Sequence, residues 1–235
     1  MIPEWLYFIL NPELLNSYGS KFIDGFIVTL KLTFISCFLG FFLGISITFA
    51  RLSSNKFLHY SARTYSYFFR GSPLLVQLFL LYYGLGSMSE FWKQVGLWWF
   101  FQNAWYCCLF VFSLNSAAYQ SEIFRGSFQS VALEQREAAK ALGLSNSVTF
   151  LKIILPQAMI LAIRPLGNEF ILMIKSSALA SLVTVYDLMG ITKLIYSRTF
   201  DFQIYVWAAI IYLLIVGLIN RLVIFIENRL TFYLR

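Results

Sequence analysis

Two sets of residues carry the types and spacings from which chemistry or a docking surface is built. Asn115, Tyr119 and Glu122 stand at i, i+4 and i+7, which places them on one face of a helix. Asn168 and Lys175 share a second such face with Leu172, and Glu169 lies beside it. Both groups sit in apolar runs, where a polar side chain is costly and needs a partner or a passage. The second set, Glu137, Ala138, Ala139, Gly143 and Pro156, lies in the longest polar stretch, about 125–156.

Conventional catalytic constellations are missing from the chain. There is no HExxH, no GxSxG and no GxxxxGK[ST], so neither zinc proteolysis, nucleophile-elbow hydrolysis nor P-loop ATP binding is expected. His59 is the single histidine, which excludes haem held by paired histidines and any His-rich metal centre. Cys37, Cys107 and Cys108 lie inside apolar stretches without a CxxC and read as small buried hydrophobes. No metal and no cofactor of the chain's own is expected.

The elements that must position these residues are membrane helices. Of 235 residues, 59% are hydrophobic and 12% charged, against about 45–50% and about 25% in an ordinary soluble domain. Mean hydropathy is +0.71, and the 25 Phe, 14 Tyr and 6 Trp suit lipid-facing and interfacial positions. The net charge of +7 falls between apolar spans, so membrane topology explains it better than nucleic acid, and no nucleic-acid partner is expected.

Five spans are expected in an all-α membrane protein that forms a single domain over 1–235. They run about Phe26–Ala50, Ser72–Gly86 (extended backwards through Tyr65–Arg70), Ala104–Phe124, Pro165–Val183 and Ile204–Ile226. Each approaches the ~20 residues needed to cross a bilayer. The N-terminus reads as an interfacial segment anchored by Trp5, Tyr7 and Phe8 rather than as a cleaved signal. With the N-terminus outside, the inner segments hold twelve Lys and Arg and the outer segments four, so the C-terminus is inside. Gly40 and Gly44 offer a small-residue packing face on the first span.

The inner stretch between the third and fourth spans reads as two helices around a turn. Leu133–Leu142 is rich in helix formers. Gly143 suits the left-handed helix end, Leu144 the fold-back and Ser145 the next N-cap. Pro156 is expected to break the chain before the membrane is re-entered. Ala138 and Ala139 permit close approach by another protein, and Glu137 offers it a charge. Glu137-Ala138-Ala139, Gly143, Ile153, Leu155 and Pro156 resemble, at every spacing, the EAA loop of ATP-binding-cassette importer permeases. In that family the loop is the coupling helix that docks on the ATPase subunit.

A second resemblance narrows the class. Arg70-Gly-Ser-Pro-Leu-Leu-Val-Gln, Leu114-Asn-Ser-Ala-Ala-Tyr-Gln-Ser-Glu-Ile-Phe-Arg-Gly and Asn168-Glu-Phe-Ile-Leu-Met-Ile-Lys-Ser-Ser-Ala are similar to the polar amino acid permeases of the histidine/arginine/glutamine type. The similarity extends over about 22–230, with Ser177-Ala178 where many relatives have Thr-Ser. It implies the type I importer permease fold and a location in the bacterial cytoplasmic (inner) membrane. It also implies ATP bound by separate ATPase subunits, an external amino acid binding protein, and a second permease copy or a sister permease. Cationic amino acids are the expected substrates, with glutamine or another polar amino acid as the alternative. Asn115, Tyr119, Glu122, Asn168 and Glu169 are candidates either for a translocation path or for interhelical hydrogen bonding. Glu122 and Arg125 are also a candidate ion pair at the inner interface. Glu169 is expected beside a helix break at Pro165–Gly167.

Overall fold

The structure, a computed structural model, describes residues 11–231. The N-terminal anchor expected at Trp5, Tyr7 and Phe8 lies outside the described residues. Among the described residues every regular element is helical.

The first helix, α1 (Pro12–Leu52), is 41 residues long and starts well before the expected span. Asn11 caps it, its side-chain oxygen accepting the Glu13 N–H at 3.2 Å, and Pro12 takes the first helical position, where its missing N–H costs nothing. Next come α2 (Lys56–Gly71) and α3 (Leu74–Phe79). A π turn (Leu80–Gly84) and a 3-10 turn (Leu85–Ser87) continue α3. Two short helices, α4 (Ser89–Val95) and α5 (Trp98–Phe101), lead into α6 (Ala104–Ser130). The polar stretch holds α7 (Leu133–Ala141) and α8 (Asn146–Thr149). A π segment (Phe150–Ile154) joins them to α9 (Leu155–Ser177), which ends in a 3-10 turn (Ala178–Val183). The last elements are α10 (Leu188–Thr199) and α11 (Gln203–Thr231).

Among the described residues three stretches are long and apolar enough to cross a membrane: α1, the run Asn146–Val183, and α11. α2 and Leu74–Ser87 are apolar enough only as a pair, bent by 102° at the break between them, the form of a broken span or of a re-entrant loop. α6 has 27 residues, about 40 Å at 1.5 Å per residue, but Ser113, Asn115, Ser116, Gln120, Ser121, Glu122 and Arg125 lower its apolarity.

Local chemistry explains where helices break and where they do not. The second span is not continuous with Tyr65–Arg70 as expected. Ser72 turns extended (φ −106°, ψ 147°) because Pro73 disfavours the helical conformation in the residue before it. Conversely, Pro156 does not break the chain. It is the second residue of α9, and the π segment ahead of it lets the Leu155 N–H reach the Phe150 carbonyl. Nor is there a break at Pro165–Gly167. Pro165 is carried inside α9, and Gly167 packs directly against the Val223 side chain of α11.

The chain divides into two compact units. The first comprises residues 11–36, 73–112 and 172–218 of the described chain. Its core gathers Phe22, Leu188, Ile191, Ile195, Ile204 and Trp207, with Phe22 and Trp207 edge to face at 5.7 Å. Thr29 accepts the Leu188 N–H at 3.0 Å, and Asp187 caps α10 by accepting the Gly190 N–H at 2.9 Å. The second unit comprises 37–72, 113–171 and 219–231 of the described chain. Its core is Phe124, Phe128, Val131, Ile154, Ala158 and Ala162, joined by Phe41 and Phe150.

Along α1 the usual soluble pattern is inverted. Thr29, Leu32, Thr33, Ser36 and Thr48 are fully buried, while Phe34, Phe38 and Phe42 are more than half exposed. A helix in lipid gains from close packing and internal hydrogen bonds, because its apolar side chains lose nothing by facing hydrocarbon. Gly40 and Gly44 are part of that packing face. A methyl at Gly40 would lie 3.0 Å from Ser116 Cβ, and one at Gly44 3.2 Å from the Ala117 carbonyl.

Candidate functional site

The candidate path residues Asn115, Tyr119, Glu122, Asn168 and Glu169 and the coupling residues Glu137, Ala138, Ala139, Gly143 and Pro156 fall in the second unit, whereas Leu172 and Lys175 fall in the first. α6 supplies two polar faces there. The face predicted to hold Asn115, Tyr119 and Glu122 packs on α2. Asn115 Nδ2 donates to the Phe69 carbonyl at 2.9 Å. The Tyr119 ring lies 5.4 Å beneath the Arg70 guanidinium. Glu122 then meets Arg70 Nη1 at 3.5 Å. Tyr65 donates to the Leu114 carbonyl at 2.7 Å, and Ser66 and Ser121 hydroxyls meet at 3.3 Å. A seam this polar replaces the hydrophobic effect, which is absent between helices in lipid.

Glu122 has more partners than the expected Arg125. Arg125 Nε donates to its Oε1 at 2.9 Å, and Arg51 pairs with its Oε2. Three arginines from α1, α2 and α6 therefore converge on one carboxylate. Arg51 and Arg70 were not legible as its partners, because they precede it by 71 and 52 positions in the chain.

The other face of α6 carries Ser116 and Gln120. Gln120 donates to the Cys37 carbonyl at 2.9 Å and to Ser116 Oγ at 2.9 Å. Ser116 in turn donates to Glu169 Oε1 at 3.2 Å. Glu169 is 6% exposed, so this carboxylate lies in the packed interior of the unit. Asn168 points elsewhere and is exposed, lining a cavity of about 380 Å³ with Arg164, Ile171, Asn220 and Ile224. Neighbouring residues on a helix are turned about 100° from one another, so Asn168 and Glu169 face different surroundings. Ser116, Gln120 and Cys37 were missed from the sequence. The i, i+4 spacing of Ser116 and Gln120 inside an apolar span was the signal available for two of them.

The polar stretch folds as its local sequence dictates. α7 ends at a left-handed Gly143 (φ +71°). The Leu144 N–H bonds back to the Ala139 carbonyl at 3.0 Å and the Gly143 N–H to Lys140 at 2.9 Å, closing the helix end. The Ser145 hydroxyl caps α8 by accepting the Val148 N–H at 3.4 Å. Arg136 Nη2 ties α7 to α6 through the Phe128 carbonyl at 2.8 Å. Glu137 and Ala138 are exposed, as are Leu133, Leu142 and Leu144. Ala139 is not available to another protein: it is 2% exposed and forms the inward face of α7. Its small size lets α7 sit close to its own unit.

Comparison with known proteins bears on this arrangement. A nopaline transport system permease protein, NocM, of Agrobacterium fabrum is 40% identical over 219 residues, covering 93% of this chain and 91% of its own. An arginine ABC transporter permease protein, ArtM, of Haemophilus influenzae is 37% identical, covering 91% and 94%. A crystal structure of an amino acid ABC transporter with histidines superposes with a TM-score of 0.82 at 35% identity, over 92% of this chain and 96% of that one. A chain of the MetNI methionine ABC transporter shares the fold, with a TM-score of 0.74 at 17% identity over 92% and 98%. Residues 36–232 match the model of the binding-protein-dependent transport system inner membrane component. With α6, α7 and α9 arranged as described, this chain belongs to that family of transport permeases.

Proposed function

We propose that this chain is the membrane-spanning permease subunit of an ATP-driven amino acid importer of the bacterial inner membrane, with cationic amino acids as its substrates. The observation that carries the reading is α7. It is a short helix with Glu137 and Ala138 exposed, tied to α6 by Arg136 near its middle and closed by the Gly143 turn. Such an element transmits force to the membrane helices it is tied to. Two ATPase subunits bind ATP, and their closure draws the coupling helices of two permease chains together, this chain and a second copy or a sister. An external binding protein delivers the amino acid. The chain itself carries no cofactor, and its remaining partner is lipid. The N-terminus lies outside and the C-terminus inside, in keeping with the basic residues concentrated in the inner segments.

Asn115, Tyr119, Glu122, Asn168 and Glu169 are proposed to serve the translocation path, with Glu169 as the group that meets the substrate cation. Glu122 has its charge matched by arginines. The hydrogen bond to Glu169 comes from the neutral Ser116 hydroxyl, which leaves its charge available for a guanidinium or ammonium. The relatives named for arginine and nopaline transport support this choice, and glutamine or another polar amino acid is the second reading. The test is uptake of radiolabelled arginine, lysine, histidine and glutamine by proteoliposomes holding the complete transporter and its binding protein. ATP-dependent uptake of the cationic amino acids, with glutamine failing to compete, is expected. Preferred uptake of glutamine would establish the second reading.

A further inference from the structure

One carboxylate, Glu122, accepts from Arg51 and Arg125 and forms an ion pair with Arg70, yet it can neutralise only one of the three guanidinium groups. Its Oε1 is taken by Arg125 and its Oε2 by Arg51, with Arg70 3.5 Å away. The cluster holds a surplus of two positive charges and many more donors than Glu122 has lone pairs. Arg51 Nε is buried without a hydrogen-bond partner. Arg70 stays part-exposed and is held in place from beneath by the Tyr119 ring. His59 Nδ1, 2.6 Å from the Arg51 carbonyl, fixes the start of α2 against the end of α1. The guanidiniums are thus pre-positioned, and an unmatched double charge among apolar helices calls for a counter-ion.

We propose that Arg51, Arg70 and Arg125 form a binding site for a phosphate-bearing anion, the phosphodiester of an anionic phospholipid headgroup or free phosphate. Glu122 acts as the template that sets the guanidinium forks, and phosphate offers the bidentate acceptor geometry those forks match. The surroundings favour the lipid source. The stretch 51–70 holds four basic residues and no acid. Phe57, Tyr60, Tyr67 and Phe68 stand exposed along α2 between its charges, the composition of a helix at the headgroup level. The site lies on the same part of α6 that leads into α7. Its assignment to the inner leaflet rests on the proposed orientation, whereas binding itself does not.

The experiment is titration of the detergent-purified complex with short-chain phosphatidylglycerol, short-chain phosphatidylcholine and inorganic phosphate in separate arms. The variants are Arg70→Gln, Arg125→Gln, the charge-keeping Arg70→Lys, and Arg229→Gln as a remote control. Wild type and Arg229→Gln should bind phosphatidylglycerol. Arg70→Gln should weaken that binding about fivefold to tenfold, and Arg70→Lys should recover part of it. Binding of phosphatidylglycerol without phosphate assigns the lipid source, and phosphate binding of equal strength assigns the free anion. If Arg70→Gln fails to assemble, Arg125→Gln is read in its place. Equal binding of phosphatidylcholine and phosphatidylglycerol, or wild-type anion binding in the assembled Gln variant, would overturn the proposal. Substrate-stimulated ATPase activity measured on the same preparation reports on the transport reading separately.

Discussion

The Ser116 hydroxyl donates to the Glu169 carboxylate at 3.2 Å, joining α6 to α9 at a point where both are packed inside protein. Gln120 and Cys37 extend this contact to α1. A buried acid held by a neutral donor is a different object from Glu122, which is held by arginines, and the two should respond differently to loss of charge.

Glu169→Gln keeps shape and one acceptor for Ser116 while removing the charge. Uptake of arginine, lysine or histidine by the reconstituted transporter should fall at least about tenfold. Assembly with the ATPase should persist. Cationic uptake at the wild-type rate would remove Glu169 from the path.

Gly143→Pro forces φ to about −65° where the chain needs +71° and deletes the N–H bonded to Lys140. A methyl at this position would meet no neighbour within 4 Å, so the damage is confined to the backbone of the turn. Co-purification of the ATPase and its coupled activity should both drop while membrane insertion is retained. Full coupled activity in the variant would refute the role given to α7.

Orientation is open to cysteine labelling in a variant lacking Cys37, Cys107 and Cys108. A cysteine replacing the exposed Glu90 should react with an impermeant reagent from outside intact cells, and one replacing Ser145 should not. The opposite pattern would invert the topology.

Asp187 lies between the spans with its Oδ2 buried and unpartnered, and burial raises its carboxyl from 3.8 to about 6. Because the folded form holds its proton more tightly than the unfolded chain, this group's contribution to stability is greatest below about pH 4. It declines as pH rises through 6 and stays low above it. Asp187→Asn preserves the cap on Gly190 and removes the buried charge. At pH 8 the melting temperature of the purified complex should rise by about 3–6 °C, and at pH 4.5 the gain should shrink. An equal gain at both values would show that ionisation is not the cause.

Gly44→Leu should lower the melting temperature by at least about 4 °C, since its side chain would press on the Ala117 carbonyl and the Gln120 side chain. An unchanged melting curve would show that α1 can move away from α6 at little cost.

The sequence alone determined what a few neighbouring residues decide. The α7–Gly143–Ser145 turn is legible because a left-handed glycine, a fold-back leucine and a serine cap are local preferences satisfied within six or seven residues. The span positions follow from runs of apolar residues, and α11 begins one residue before its expected start and ends five after its expected end. Proline was read less well. Pro73 breaks its span, whereas Pro156 and Pro165 are absorbed, one by a π segment and one inside a continuous helix. Those outcomes depend on what surrounds the backbone and not on proline itself. Which way Ala139 faces, and which residues answer Glu122 and Glu169, only the tertiary structure decided. The partners lie 53 and 71 residues away in the cases of Ser116 and Arg51. Helices in lipid choose their neighbours by close packing and by pairing buried polar groups, and the spacing this leaves on one helix does not say which other helix answers it.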